Sequence, residues 1–237
     1  MILFEEHTNI RKLKDMQSDT TDKRRGILPT LTGFIVRHIM ASPRIYSSIT
    51  LIFRGRKKTQ SFVDRYIRPE AGNKILDIGC GTGDILSFLP DVDYSGFDQD
   101  RSYIEIAAKR FGTRGKFFCK SVSGDAVSGN EKYDIILAMG ILHHLNNDES
   151  RQLFDLAYRL LKPEGHIVTY DGCFVEKQSV LQKIFLQLDR GKFVRKKIEY
   201  EQLAKTAFDS VTIDIRHDLL NIPYTIIIMD CKKRASY

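Results

Sequence analysis

Lys74-Ile75-Leu76-Asp77-Ile78-Gly79-Cys80-Gly81-Thr82-Gly83-Asp84 decides how this chain folds. The apolar run Ile75 to Ile78 reads as a buried strand. Glycines at three alternate positions follow, and Ile85-Leu86-Ser87-Phe88-Leu89 then resumes at helical spacing. A strand, a glycine loop and a helix in that order bring backbone N–H groups close to a ligand. A side chain at Gly79, Gly81 or Gly83 would hold the ligand away from that backbone.

The spacing separates this loop from two lookalikes. The dinucleotide fingerprint reads G-x-G-x-x-G, whereas the glycines here read G-x-G-x-G. A phosphate loop needs G-K-[ST], and no lysine stands there. Asp77 before the loop and Asp84 after it would repel a pyrophosphate and suit a cation. The run Leu76-Asp77-Ile78-Gly79-Cys80-Gly81-Thr82-Gly83 closely resembles the first motif of class I S-adenosylmethionine-dependent methyltransferases, here their uncharacterised bacterial small-molecule members. The resemblance implies a loop wrapped around the amino-acid end of S-adenosyl-L-methionine, whose ammonium and sulfonium are both positive. Asp77, Gly79, Cys80 and Gly81 are then cofactor contacts.

Outward from the loop, strands and helices alternate, which argues for a doubly wound α/β sheet, mostly parallel, with right-handed crossovers. The expected strands are Asp93–Asp98, Lys116–Lys120, Tyr133–Met139, His166–Tyr170, Val211–Arg216 and Tyr224–Cys231. Helices are expected from about Tyr103, over 149–161, and near 177–188 and 198–208. Lys162-Pro163-Glu164-Gly165 reads as a turn into the fifth strand. The last two strands are joined by a link too short for a parallel crossover, so they pair antiparallel. The pattern gives seven strands with one antiparallel strand near an edge, as the resemblance also implies.

Asp98 ends the second strand, 21 residues after Asp77. A carboxylate there can accept both hydroxyls of a ribose, with Gln99 beside it. The adenine side falls after the third strand, at Val122 and Asp125, where relatives carry an acid slightly earlier. Ala138 and Met139 leave the fourth strand at the switch point of the sheet, where cofactor and acceptor should meet. The following His143 and His144 are candidate proton acceptors, with packing or capping as their other roles. Asp171, at the end of the fifth strand, is expected to face the same crevice. No D/N-P-P-Y tetrad is present, which argues against methylation of amino groups on DNA bases. Arg190 and Arg195 can either bind an acidic acceptor or hold their loop.

The 237 residues, 42% of them hydrophobic, suffice for one good core and a small appendage. The four cysteines are scattered with no C-x-x-C pair, so reduced thiols in a cytoplasmic protein are expected and a metal site is not. No apolar run reaches the length of a membrane span, and the first residues lack the features of a signal peptide. Residues 1–68 carry 14 Lys and Arg against 6 Asp and Glu, a balance of +8, while the whole chain is +7. The chain therefore divides into a basic helical arm, 1–69, and a cofactor-binding domain, 70–237. Within the arm, helices are expected over 28–40 and 43–53, the second stopping at Gly55, and another from Gln60 to Ile67. The apolar and basic stretch 43–58 suits either a lid over the crevice or peripheral contact with an anionic membrane. Methyl transfer to an oxygen or nitrogen of a small-molecule acceptor is the leading expectation. An RNA methyltransferase using the arm, a non-catalytic cofactor-binding subunit, and a nicotinamide-dependent oxidoreductase remain its rivals; nucleic acid finds no recognised binding module. Acceptor and oligomeric state are not legible.

Overall fold

The computed structural model describes residues 55–121, 131–188 and 191–234. The strands are β1 (Lys74–Ile78), β2 (Asp93–Asp98), β3 (Gly115–Cys119), β4 (Tyr133–Met139), β5 (Leu161–Phe174), β6 (Arg195–Lys196), β7 (Ser210–Arg216) and β8 (Ile226–Lys232). Seven of them form one sheet in the order β3-β2-β1-β4-β5-β8-β7, and the two-residue β6 pairs with the end of β5. β8 alone runs against its neighbours, antiparallel to both β5 and β7. The seven-stranded, doubly wound sheet with one antiparallel strand near an edge is thus the one the sequence pattern leads to.

Both faces are covered, and alternation along the central strands shows why. On β4, Ile135 and Leu137 join the core on one face, while Ile136 and Ala138 join the core on the other. The period of two sends successive side chains to opposite faces, and a strand buried on both reads as continuous apolar sequence. One face is covered by α1 (Arg56–Phe62), which passes into a π turn over Val63–Ile67, and by α4 (Val180–Leu188). The other carries α3 (Asn147–Leu160) and α5 (Lys197–Ala204). Between β2 and β3 runs α2 (Arg101–Phe111), whose start is capped by the Asp100 carboxylate accepting from the Ser102 N–H at 2.8 Å. Asn146 and Glu149 form a reciprocal capping box that starts α3 two residues earlier than its apolar pattern suggests.

Four expectations change. The segment after the glycine loop is a single 3₁₀ turn, Asp84–Phe88, and not an α-helix; Leu89 is already extended and Pro90 follows. Lys162-Pro163-Glu164-Gly165 is a turn inside β5: the pairing with β4 jumps from Tyr133 opposite Leu161 to Ile135 opposite His166, with Glu164 at φ 63°. The helix expected from Gln60 begins earlier, so that Arg56, Lys57 and Lys58 open α1 behind Gly55 at φ 71°. And residues 56–67, expected within the arm, pack against the sheet. Phe62, Val63, Tyr66 and Ile67 are buried against Ile75, Leu137 and Tyr170, with the Phe62 ring edge-on to Tyr170 at 5.4 Å, so 56–67 is part of the body. The expected helices at 28–40 and 43–53, and the part of the 43–58 stretch before Gly55, lie outside the described residues.

Candidate functional site

Strand order reverses between β1 and β4, so their carboxyl ends open a crevice where connections leave in opposite directions. The glycine bend forms one wall. Gly79, Gly81 and Gly83 all have positive φ, at 72°, 54° and 70°. The N–H groups of this bend do not face outward as the sequence reading supposed. Gly79 and Cys80 both donate to the Phe97 carbonyl, at 2.8 and 3.0 Å, and Gly81 donates to Asp98 Oδ2 at 2.9 Å. With those donors turned onto β2, a phosphate would meet no cradle there. At Gly81 a Cβ would meet no atom within 4 Å, so open space lies over the bend.

The charges around that space are carboxylates. Asp98 is half-buried at the end of β2; its Oδ1 accepts from the Asp100 N–H at 2.9 Å, so two amides fix the carboxylate and each oxygen retains a second lone pair. Asp77 is buried beneath the bend. Its Oδ2 accepts from the Tyr94 hydroxyl at 2.6 Å, while Oδ1 has no partner. Burial pushes the Asp77 carboxyl up to about 7; the Tyr94 hydrogen bond opposes this and the Asp98 charge adds to it. An unpartnered acceptor at that depth fits an ammonium, which would restore the ionised form. Asp84 plays a different part from the one expected of it: it accepts from the Thr82 hydroxyl and pairs with Arg110 on α2. The Cys80 thiol points to β2, where it fills the place a Gly96 side chain would take, and burial raises its pKa. Only its backbone borders the bend.

Past β2, the Gln99 amide donates to Ser121 Oγ at 2.5 Å, bridging the ends of β2 and β3 where an adenine would lie. Val122 and Asp125 fall outside the described residues. Ala138 is fully buried in the core, so its side chain is not available to a ligand; Met139, the next residue, is partly exposed at the exit of β4. Gly140, at φ 73°, donates to the Tyr170 carbonyl at 2.7 Å and turns the chain into the 3₁₀ turn Leu142–His144.

That turn brings two of the expected residues together. His143 Nδ1 lies 2.7 Å from Asp171 Oδ1, which also accepts from the His143 N–H at 3.2 Å. Both residues are buried, and Asp171 Oδ2 has no partner. An ionised Asp171 can only accept, so the proton of a neutral His143 belongs on Nδ1 and Nε2 is the basic nitrogen. Gly191 packs on this ring so closely that a Cβ there would stand 2.2 Å from His143 Cδ2. His144 is exposed, its ring 4.2 Å from that of His143.

Sequence reasoning left Arg195 undecided, and its surroundings decide. The guanidinium is buried and donates to the carbonyls of Leu142, Phe193 and Leu145, at 2.9, 3.0 and 2.6 Å, and to Asn147 Oδ1 at 3.0 Å. It therefore holds the turn that carries both histidines. Arg190 lies outside the described residues. Tyr94 was missed altogether: a tyrosine in a strand reads as core, and nothing in its spacing says that its hydroxyl ends on Asp77.

Residues 76–167 match a protein family described as a methyltransferase domain. Over 102 residues the chain is 29% identical to the ubiquinone biosynthesis O-methyltransferase of Vibrio atlanticus, covering 40% of this chain and 42% of the relative. Over 117 residues it is 29% identical to the probable tRNA methyltransferase 9B of Homo sapiens, covering 47% of this chain and 24% of that one. The match thus spans less than half the length of these relatives. Among solved structures, a phosphoethanolamine N-methyltransferase of Haemonchus contortus, in complex with phosphomonomethylethanolamine and S-adenosylhomocysteine, superposes with a TM-score of 0.61. It covers 85% of this chain and 57% of that one at 16% identity, a likeness of fold.

Proposed function

Because the chain carries a class I S-adenosylmethionine-dependent methyltransferase domain, we propose that it methylates a hydroxyl of a small-molecule acceptor, with His143 taking the proton. The cofactor supplies a methyl group on a positively charged sulfur. Asp77 is the residue to hold its ammonium, Asp98 and Gln99 its ribose side, and Gly81 leaves the space it needs. An acceptor hydroxyl is a poor nucleophile until its proton has somewhere to go, and the pair His143–Asp171 supplies that place at Nε2. Asp171 orients the ring and stabilises the imidazolium that forms. The remainder of the rate comes from holding the acceptor in line and out of water.

The observation that carries this reading is the buried 2.7 Å contact between His143 and Asp171 at the lip of the cofactor crevice. A nitrogen acceptor with its own lone pair has less need of such a base. The relatives differ in what their names say, ubiquinone biosynthesis in one and tRNA in another, so they support methyl transfer and leave the acceptor to the site.

The test is transfer of label from methyl-labelled S-adenosylmethionine, with phenols and catechols as one set of acceptors and total RNA as another. Label in the small-molecule fraction, abolished by His143→Ala while S-adenosylhomocysteine still binds, supports the proposal. Label in RNA, or full transfer by the alanine variant, refutes it.

A further inference from the structure

Among the described residues, six large apolar side chains stand exposed, and five of them lie in the single insertion between β5 and β7. Val180, Leu181 and Ile184 occupy one face of α4, with Val180 73% and Leu181 59% exposed. The opposite face of the same helix buries Leu186 in the core, so this is a helix apolar on two sides. Phe193 and Ile198 flank β6. Both groups spring from one place: the Gln178 amide, just before α4, donates to the Cys173 carbonyl at 3.1 Å, and β6 pairs with Cys173 and Phe174.

The same insertion is basic. Residues 175–199 hold seven Lys and Arg against three Asp and Glu, a balance of +4. Lys177, Lys183, Lys192, Lys196 and Lys197 are exposed between and beside the apolar groups. That mixture decides what covers the patch. Protein interfaces deplete lysine and favour aromatic residues and arginine at their centres. Aliphatic side chains ringed by lysine are the composition of a surface that sinks into a lipid interface while its ammonium groups meet anionic headgroups.

We infer that the α4–β6 insertion docks this chain on an anionic phospholipid bilayer. The patch borders the active side of the molecule, since the Phe193 N–H donates to the His143 carbonyl at 2.9 Å and Gly191 packs on the His143 ring. A molecule lying on the bilayer through this patch has its proposed base beside the lipid. The acceptor class that follows is an amphiphile with its hydroxyl at the headgroup level; that clause rests on the methyl-transfer reading, whereas docking does not. No described helix is long and apolar enough to cross a membrane, so the contact is peripheral.

The test uses the full chain and vesicles of phosphatidylcholine, alone or with about one third phosphatidylglycerol, read by co-sedimentation. Partition into the anionic vesicles is expected, falling about tenfold or more when salt rises from about 0.1 to about 0.5 M. The variant Val180→Ser/Leu181→Ser/Ile184→Ser should lose a similar factor while binding S-adenosylhomocysteine like the parent, because these exposed side chains are not among the buried residues of the core. Equal partition by the parent and the variant overturns the inference, as does indifference to phosphatidylglycerol. A concentration-dependent dimer that the triple substitution dissociates overturns it too, since the patch would then belong to a second copy. Vesicle binding in a protein that fails to bind S-adenosylhomocysteine removes the acceptor class and leaves the docking intact.

Discussion

Replacing Asp77 with asparagine should make the protein more stable at neutral pH and above, and less able to bind. In the folded chain the Asp77 carboxyl is pushed up to about 7 from an ordinary value of 3.8. The folded state therefore holds a proton there that the unfolded state has already released, and stability drains away as pH rises from about 4 to 7. From pH 5 to about 7 the folded carboxyl keeps that proton, and above about 7 it ionises and the loss levels off, so about two pH units at 1.36 kcal/mol each, about 3 kcal/mol, are lost by pH 8. Asparagine does not ionise. Its amide leaves an N–H where Oδ1 now lacks a partner, a cost of about 1–3 kcal/mol that is the same at every pH and cancels in the comparison. Urea unfolding of parent and variant at pH 5, 6, 7 and 8 should thus show the variant gaining about 3 kcal/mol on the parent across the series. Calorimetry at pH 7.5 should show S-adenosylhomocysteine binding weakened by about 1.5–3 kcal/mol, ten- to hundredfold, as a charged hydrogen bond is lost. Parallel stability curves would refute the buried ionisation. An unchanged affinity would refute the assignment of Asp77 to the ammonium.

Tyr94→Phe removes the one hydrogen bond Asp77 receives; the carboxyl should rise above 7, and the pH below which S-adenosylhomocysteine affinity falls should rise with it, as a titration series in calorimetry would record. Gly81→Leu should cost the fold only about 1–2 kcal/mol, the strain of a side chain at φ 54° with no atom nearby, yet abolish cofactor binding; thermal melts and calorimetry separate the two. His143→Ala should lower kcat about 10²- to 10⁴-fold with cofactor affinity intact, as steady-state rates and calorimetry would show. Arg195→Met strips donors from the Leu142, Leu145 and Phe193 carbonyls and should destabilise by about 2 kcal/mol or more in urea unfolding. A smaller loss in Arg195→Lys would contradict the multi-pronged role, since a single ammonium cannot reach four acceptors.

The sheet was legible because strands that bury both faces read as near-continuous apolar runs, as Ile135 to Met139 does; Tyr133–Met139 and Asp93–Asp98 fall where the pattern puts them. The glycine bend was legible as a bend, and the acids around it as a preference for cations. The direction of its N–H groups was not, because that depends on β2 lying alongside, a neighbour 17 residues or more away in sequence. The same limit hid the part of Tyr94 and put His144 slightly ahead of His143. Adjacent histidines are equivalent in sequence, and only the 3₁₀ turn sends one of them to Asp171 and the other to solvent. Likewise 56–67 looked like part of a basic arm because its charges are plain in the sequence, whereas Phe62 and Ile67 become core only once Ile75 and Tyr170 are beneath them.

The family match ends at residue 167, and the groups that would choose an acceptor begin just beyond it. Asp171 follows by four residues, and the insertion that supplies Gly191, Arg195 and the exposed face of α4 lies wholly outside. The two halves of the site are held by different means. On the proposed cofactor side, the positive-φ bend and the carboxylates of Asp77 and Asp98 shape the crevice. On the acceptor side a buried guanidinium secures a turn through carbonyl oxygens, and a loop glycine closes over the histidine ring. Carbonyls exist at every residue, so this second arrangement places little demand on the identity of the residues it grips. The relatives matched at 29% identity carry different acceptors in their names, and residues 171–200 are where the specificity of this chain would be sought.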